Sequence, residues 1–359
     1  MEIPAITFPI LGDGFELNFL PYFTIFGWRF YWYGLIIAVG FLLAVIYGVK
    51  RSKSFGLSED DVIDMLIWSV PLAIICARLY YVVFFRDSDG GNPYFDGKGD
   101  FLEIVKIWEG GLAIYGGVIG GVLGLIISSK IKKIRALPMA DLGGLGLLIG
   151  QAIGRWGNFT NREAHGIETT VPWRMGLQYS FKTFYYHPTF LYESLWNALG
   201  FVLLHFWSKK HRKYDGQLFL MYIAWYGLGR TVIEGLRTDS LYVGQTNLRI
   251  SQLVAMLTFL AAAGVMVYIR VAKHPEPEDL WVNRDQKEAM LAEERIARAQ
   301  RELEAVDEEF DAELSDAFRI LSAQAAADQA GEEETAPDEV PPEGGPENEP
   351  TPPDGHKED

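Results

Sequence analysis

The sequence predicts an all-α polytopic membrane protein. It has about seven transmembrane helices and an extracytoplasmic loop region, with the N-terminus outside and the C-terminus cytoplasmic. Three observations predict this. Seven mostly apolar stretches lie at 31–49, 62–85, 112–128, 137–153, 192–207, 217–236 and 250–271, near the roughly 20 residues a helix needs to cross the hydrocarbon layer. Basic clusters follow every second stretch. The excess of negative charge is confined to the C-terminal quarter.

The charge separates the chain into two parts. Residues 274–359 hold 27 acidic and seven basic groups, a net charge of −20, whereas residues 1–273 hold 25 basic and 20 acidic groups, a net charge of +5. The first part is therefore expected to be a membrane-embedded domain, and residues 274–359 an acidic cytoplasmic tail. The acidic balance belongs to the tail and says little about partners of the body. No nucleic-acid partner is expected. The N-terminus lacks a basic segment ahead of its first apolar stretch, and Asp13 and Glu16 precede that stretch, so no cleaved signal peptide is expected. Phe15, Phe19, Tyr22, Phe23, Phe26 and Trp28 suit a segment lying along the membrane interface.

Glycine is dense in the third stretch (Gly116, Gly117, Gly120, Gly121, Gly124) and the fourth (Gly143, Gly144, Gly146, Gly150). Small residues let helices approach closely in lipid; the alternative use is close backbone approach to a ligand at Gly110–Gly111 and Gly116–Gly117. Orientation follows from charge, because Lys and Arg concentrate on the cytoplasmic side. Lys50, Arg51 and Lys53 follow the first stretch; Lys130, Lys132, Lys133 and Arg135 follow the third. Lys209, Lys210, Arg212 and Lys213 follow the fifth, and Arg270 and Lys273 end the seventh. Odd-numbered spans then end inside, and residues 154–188 form an outward-facing loop. In the tail, apolar residues spaced by three and four predict an amphipathic helix over 285–321. The composition from about 325 onward is that of a disordered chain.

The informative residues are charges at membrane depth or its edge, where an arginine costs about 2.5–3.5 kcal/mol at a span centre. They are Arg78, Asp141, Arg155, Glu163, Glu193, Arg230, Glu234 and Arg237. Tyr226, Arg230, Glu234 and Arg237 share one helical face. They suit either an internal salt-bridge ladder or, for Arg230 beside Gly227 and Gly229, a phosphate held by paired N–H donors. Arg155 with Asn158 opens the polar run GRWGNFTNREAHG at 154–166. His187 begins HPTFLYE; it suits a proton acceptor, and the following Pro suits a helix start. Cys76, the single cysteine, makes no internal disulfide and suits a packed core position. No metal-ligand spacing, P-loop or GxSxG motif is present, and no metal or cofactor is expected.

These residues stand in blocks that resemble the bacterial phosphatidylglycerol–prolipoprotein diacylglyceryl transferases. The blocks are RFYWYGL (29–35), ARLYYVVF (77–84), GGLAIYGGVIGG (110–121), ADLGGLGLLIGQAIGRWGNFTNRE (140–163), HPTFLYE (187–193) and YGLGRTVIEGLR (226–237). The resemblance covers nearly all of 20–270 and excludes the tail. It implies transfer of the diacylglyceryl group of phosphatidylglycerol to the lipobox cysteine of a preprolipoprotein, with release of glycerol phosphate. It implies a multi-pass protein of the bacterial inner or plasma membrane with its active site towards the outer face. It also implies important positions at Tyr33, Arg155, Asn158, Glu163, Gly166, Glu193, Tyr226, Arg230, Glu234 and Arg237. One departure is Tyr115, where some members of the family have a histidine considered a proton acceptor. Tyrosine, with a pKa near 10, is a poor base at neutral pH.

The chemistry expected of these residues is specific. Arginines fixed at the departing phosphate, Arg155 and Arg230 first, stabilise its growing charge in a low-dielectric site. The substrate's own thiol is the nucleophile, so Cys76 is not required. Glu163, His187 and water all remain open as proton acceptors; Glu234 suits orientation of the arginines, and Tyr33 and Asn158 suit the lipid headgroup. A transporter and a lipid-binding scaffold are the competing classes; Gly-rich short helices fit the first, but no internal repeat supports it.

Overall fold

The computed structural model describes residues 3–12, 14–87, 90–95, 101–238 and 249–333. Asp13 lies outside the described residues, as do 88–89, 96–100 and 239–248, and so do residues 334–359 of the segment expected to be disordered from about 325. Seven helices coincide with the seven apolar stretches: α1 (Trp32–Arg51), α2 (Glu59–Phe84), α3 (Ile114–Lys132), α4 (Ala136–Asn161), α5 (Thr189–Ser208), α6 (Gln217–Glu234) and α7 (Ile250–Ala272). An eighth, α8 (Arg284–Glu333), follows. It runs past the 321 boundary that periodicity predicts, and its apolar residues, from Leu291 to Leu321, are exposed.

Five of these helices (α1, α2, α3, α4 and α7) are long and apolar enough to cross a membrane. Their outward surfaces are lined with exposed Leu, Ile, Val and Phe, as expected where the surrounding solvent is hydrocarbon. The helices α5 and α6 fall short of that measure. Tyr192, Glu193, Trp196, Asn197 and His205 dilute the first, and Tyr222, Trp225, Tyr226, Arg230 and Glu234 the second.

The chain is not purely helical. Four strands form an antiparallel sheet in the order β2-β1-β5-β6: β1 (Ala5–Thr7), β2 (Glu16–Leu17), β5 (Met175–Gln178) and β6 (Thr183–Tyr186). Ile6 stands opposite both Leu17 and Leu177. The N-terminal segment and the long loop after α4 thus fold together. They enclose Ile6, Met175, Leu177 and Phe190 in a small core flanked by Phe159. Separately, β3 (Tyr22–Ile25) and β4 (Trp28–Tyr31) form a hairpin. Its turn residues Phe26 and Gly27 both have positive φ, the geometry that matches strand twist in two-residue turns. Phe26 and Trp28 are exposed at its tip. The all-α expectation is corrected here: short strands with their registers set by distant pairing carry no helical-length signal.

The third stretch's glycines are packing surfaces. A Cβ at Gly116, Gly120 or Gly124 would lie 2.2–2.3 Å from the Cys76 carbonyl oxygen, the Leu72 carbonyl oxygen or Ser69 Cα. The backbone of α3 therefore lies directly on α2. The main core joins Met139, Leu142, Leu145 and Leu148 of α4 to Leu204, Leu218, Tyr222 and Phe55.

Two of the charges singled out at membrane depth serve this architecture. Asp141 accepts from the backbone N–H of Gly216 and Phe219, both at 2.9 Å; it caps α6 from α4, and Arg212 stands 3.9 Å away. Arg78 donates to four carbonyls, those of Glu103, Ile104, Gly110 and Gly111, at 2.6–3.0 Å, and organises the loop ahead of α3.

Two compact units divide after Ala289. Within the first, Leu280 is buried, and Trp281 donates through its indole to Gly56 O and through its backbone to Asp215. The first unit's helix packing yields a direct prediction. Gly116→Val should lower the midpoint of thermal unfolding in detergent by several degrees, as overpacking costs about 1–3 kcal/mol. Gly121→Ala, where a Cβ meets open space, should leave it unchanged. Equal midpoints would contradict the close α2–α3 contact.

Candidate active site

The C-terminal half of α4 carries Arg155 and Asn158, the first turns of α5 carry Glu193, and the end of α6 carries Arg230 and Glu234, with Arg237 just beyond it. Glu193 is their common partner. Its Oε2 lies 2.5 Å from Arg155 Nη2. Its Oε1 accepts from Arg230 Nη1 at 2.8 Å and from Arg237 Nη1 at 3.3 Å. Glu234 Oε2 lies 2.5 Å from Arg230 Nη2 and 3.9 Å from Arg237 Nε. Arg249, at the start of α7, donates to the Glu234 carbonyl.

The spacing on α6 does produce an Arg230–Glu234 pair on one helix, and Glu193 joins it from a second helix. Three arginines against two carboxylates leave one net positive charge. The side chains of Glu193 and Glu234 are 4 % and 2 % exposed, those of Arg155 and Arg230 21 % and 17 %. The carboxylates are therefore the more deeply buried members, and Arg155 and Arg230 the more exposed ones. Such a surface suits an anion with several oxygens, because planar guanidinium groups donate in pairs.

Local packing sets this geometry. Ser194 donates to Ala152 O at 2.7 Å and accepts from Trp156 Nε1 at 3.2 Å, which locks α5 onto α4 one residue from Glu193 and Arg155. Trp196 and Trp225 stack at 4.2 Å, and each indole donates to the other's backbone carbonyl. A Cβ at Gly229 or Gly200 would lie 2.1 or 2.3 Å from the facing indole nitrogen. This clasp sets α5 against α6 and Glu193 against Arg230.

The other residues singled out by sequence fall into four groups. Asn158 accepts from Arg155 Nη1 at 3.3 Å and donates to Glu163 Oε1 at 2.9 Å, and Asn161 reaches the same oxygen at 3.4 Å; this chain links Glu163 to the arginine cluster. Tyr33 and Tyr226 flank it. The Tyr33 ring lies against Gly157, where a Cβ would approach it to 2.6 Å. Tyr226 stacks on Tyr222, whose hydroxyl accepts from Gln151 at 2.9 Å.

Gly166 and His187 hold the loop to the cluster. Gly166 N donates to His187 O at 2.9 Å, Ile167 N donates to Leu236 O at 2.7 Å, and Gly166 bridges Arg237. A Cβ at Gly166 would lie 2.7 Å from His187 Cβ, so the join needs glycine. His187 Nδ1 is 3.1 Å from the Tyr192 hydroxyl; burial lowers its pKa below the usual value. Tyr115, at the start of α3, stands apart. It is half exposed, with its ring 6.1 Å from Tyr80, and among the described residues no hydrogen bond or ion pair joins it to the arginines.

Sequence reasoning missed Arg249, Trp173 and the Trp196–Trp225 clasp. Tyr192 stood inside HPTFLYE but was not singled out. Arg162, inside the polar run, is a structural residue that donates to the carbonyls of Pro4, Thr160 and Phe19.

A bundle of apolar helices that buries a net-positive arginine cluster between three of them defines a polytopic membrane protein with an anion-directed site. The chain belongs to the prolipoprotein diacylglyceryl transferase family, whose profile matches residues 21–268. It is similar to proteins named phosphatidylglycerol–prolipoprotein diacylglyceryl transferase. That of Listeria welshimeri is 44% identical over 252 residues, covering 68% of this chain and 87% of the relative. That of Finegoldia magna is 43% identical over 251 residues, covering 70% and 95%, and that of Clostridioides difficile 42% over 251 residues, covering 70% and 94%.

The shared carboxylate leads to a stability prediction. Glu193→Ala strands Arg155, Arg230 and Arg237 around an empty position. Breaking a buried pair on one side costs about 3–5 kcal/mol, so thermal unfolding in detergent should occur at a clearly lower temperature. Glu193→Gln, which keeps an accepting oxygen, should lose less. An unchanged midpoint for Glu193→Ala would show that the cluster does not hold the helices.

Proposed function

We infer that the chain transfers the diacylglyceryl group of phosphatidylglycerol to the thiol of the lipobox cysteine of preprolipoproteins, the first step of bacterial lipoprotein maturation. The family membership carries this activity, and the cluster around Glu193 is the observation that makes it chemically intelligible. The thiol sulfur attacks the glycerol carbon that bears the phosphate ester. A C–S bond forms, the C–O bond breaks, and the electron pair leaves on the phosphate oxygen as glycerol phosphate. The thiol proton goes to Glu163 or to water, and no cofactor takes part.

Arg155 and Arg230 are our assignment for the phosphate clamp, with Arg237 beside them. These partly exposed side chains are held by buried carboxylates, so they are preoriented before charge develops, which is where electrostatic stabilisation is strongest. Glu193 and Glu234 hold the arginines in place. Asn158, Tyr33 and Tyr226 flank the headgroup; Gly166 ties the loop carrying Glu163 to the strand segment of Arg237. Tyr115 is outside this set, and in our assignment it has no proton to take.

Five helices meet the span criterion; in the arrangement we propose, α5 and α6 cross as well, giving seven spans. Their polar faces line the site rather than lipid. The basic clusters support an N-terminus outside, the site towards the outer face of the inner or plasma membrane, and residues 274–359 as a cytoplasmic tail outside the chemistry.

Two measurements test these assignments. Purified protein with phosphatidylglycerol and a lipobox peptide should add the diacylglyceryl mass to the peptide and release glycerol phosphate; a Cys→Ser peptide should remain unmodified. Arg155→Ala and Arg230→Ala should each reduce transfer by about 100-fold or more, the scale of losing an electrostatic donor, and Lys at either position should recover only part of it. Full activity in a folded Arg155→Ala protein would remove the clamp. For topology, single cysteines placed in a Cys76→Ser background should label with an impermeant thiol reagent on intact cells at Ser180 but not at Ser54. The reverse pattern would invert the orientation.

A further inference from the structure

The chain does not leave the first unit where α7 ends. A short connector carries it to Leu280, which is buried, and Trp281 then meets three separate parts of that unit. Its backbone N–H donates to Asp215 Oδ2 at 3.0 Å, just ahead of α6. Its indole N–H donates to Gly56 O at 3.2 Å, at the end of the turn that follows α1. Its ring carries Arg135, the residue that opens α4, with the guanidinium carbon 3.9 Å from the ring centroid. Arg284 adds a second guanidinium at 3.7 Å. The approach is closest at Gly56, whose φ is +70°; a Cβ there would lie 2.9 Å from Trp281 Cδ1 and 3.0 Å from Val282 Cα.

These contacts close over a charge imbalance. Arg212 is buried between two acids, 3.1 Å from Asp215 Oδ1 and 3.9 Å from Asp141 Oδ2. Two carboxylates against one guanidinium leave one net negative charge. A carboxylate removed from water is costly unless it is paired and hydrogen-bonded. Trp281 meets that need twice. Its backbone N–H goes to the Asp215 oxygen that Arg212 does not take, and its ring holds the exposed Arg135, whose charge acts on the same carboxylate. Burial raises the Asp215 pKa, and the Trp281 N–H, Arg212 and Arg135 oppose that rise.

We propose that residues 280–284 are a strap that fastens the ends of α1, α4 and α6 to one another and completes the charge balance of the Asp141–Arg212–Asp215 cluster. The strap belongs to the fold of the transferase body and not to the acidic tail, although it lies beyond residue 268, where the family match ends. It grips α6 at the N-terminus that Asp141 caps, whereas Arg230 and Glu234 stand near the other end of that helix. The proposal depends neither on the transfer reaction nor on the membrane orientation.

The test uses full-length protein in detergent. Trp281→Ala removes the indole bond and the surface on which Arg135 lies, so thermal unfolding should occur several degrees lower. Leu303→Ala, at an exposed position of α8, should leave it unchanged. Arg135→Ala combined with Trp281→Ala should cost less than the sum of the two single losses, because both remove one shared contact. A Trp281→Ala midpoint equal to wild type, or strictly additive losses, overturns the strap.

A second measurement needs no Trp281 variant. In a Cys76→Ser background, Leu280→Cys should react with a soluble thiol reagent roughly tenfold or more slowly than Ala299→Cys, as expected for a docked against an open segment. Adding Trp281→Ala should remove most of that difference. Leu280→Cys labelling as fast as Ala299→Cys overturns the docking of the segment.

Discussion

Glu193 accepts from arginines on α4, on α6 and on the segment after α6, and the rest of the body is arranged so that this one buried carboxylate is shared. A charge this deep is tolerable only when paired and hydrogen-bonded. Sharing it requires three backbone segments to converge within the length of a side chain. The Ser194 and Trp156 bonds hold α4 to α5, the Trp196–Trp225 clasp holds α5 to α6, and Gly166 draws the loop against Arg237. Each contact sits within a few residues of a charged member of the cluster. Packing and site are therefore one construction: the same small residues that let helices approach also set the distances between the guanidinium groups.

Arginine at membrane depth has two meanings in this protein, separated by what its donors meet. Arg78 and Arg162 direct their N–H groups to backbone carbonyls of loops. Those bonds satisfy groups that would otherwise be orphaned, and most of the guanidinium donors are spent on them. Arg155 and Arg230 instead meet carboxylates beneath them and keep part of their surface open. The acids divide in the same way. Asp141 caps the first turn of α6, where the helix dipole favours an anion, whereas Glu193 and Glu234 orient cations. Residue type and depth were visible in the sequence for all of them except Arg162, which lies just beyond α4; the partner was not.

The loops show the limit of sequence patterns most clearly. Three residues of β1 pair with three of β5 across some 170 positions, and no local periodicity announces such a pairing. The same holds for Arg249, which reaches Glu234 from the other side of a loop. Tyr115 entered the site by resemblance to a histidine in related proteins. Its place against Tyr80, on the α2–α3 pair, is set by the glycine stripe of α3 and not by the arginines.

The sequence by itself determined the presence and order of the seven apolar helices, the family, and the short list of charged residues that matter; the end of α4 ran on to Asn161, past the 153 that composition indicated. These follow from composition along the chain: apolar length, basic clusters and contiguous motifs are all one-dimensional. The tertiary structure alone decided that Glu193 is the hub, that Arg78 and Asp141 are structural, that the N-terminal segment closes into a sheet with the loop after α4, and that the His187 ring meets the Tyr192 hydroxyl. Those are statements about which donor faces which acceptor. Hydrogen bonds and ion pairs form at about 3 Å, between groups whose separation in sequence carries no trace of that distance.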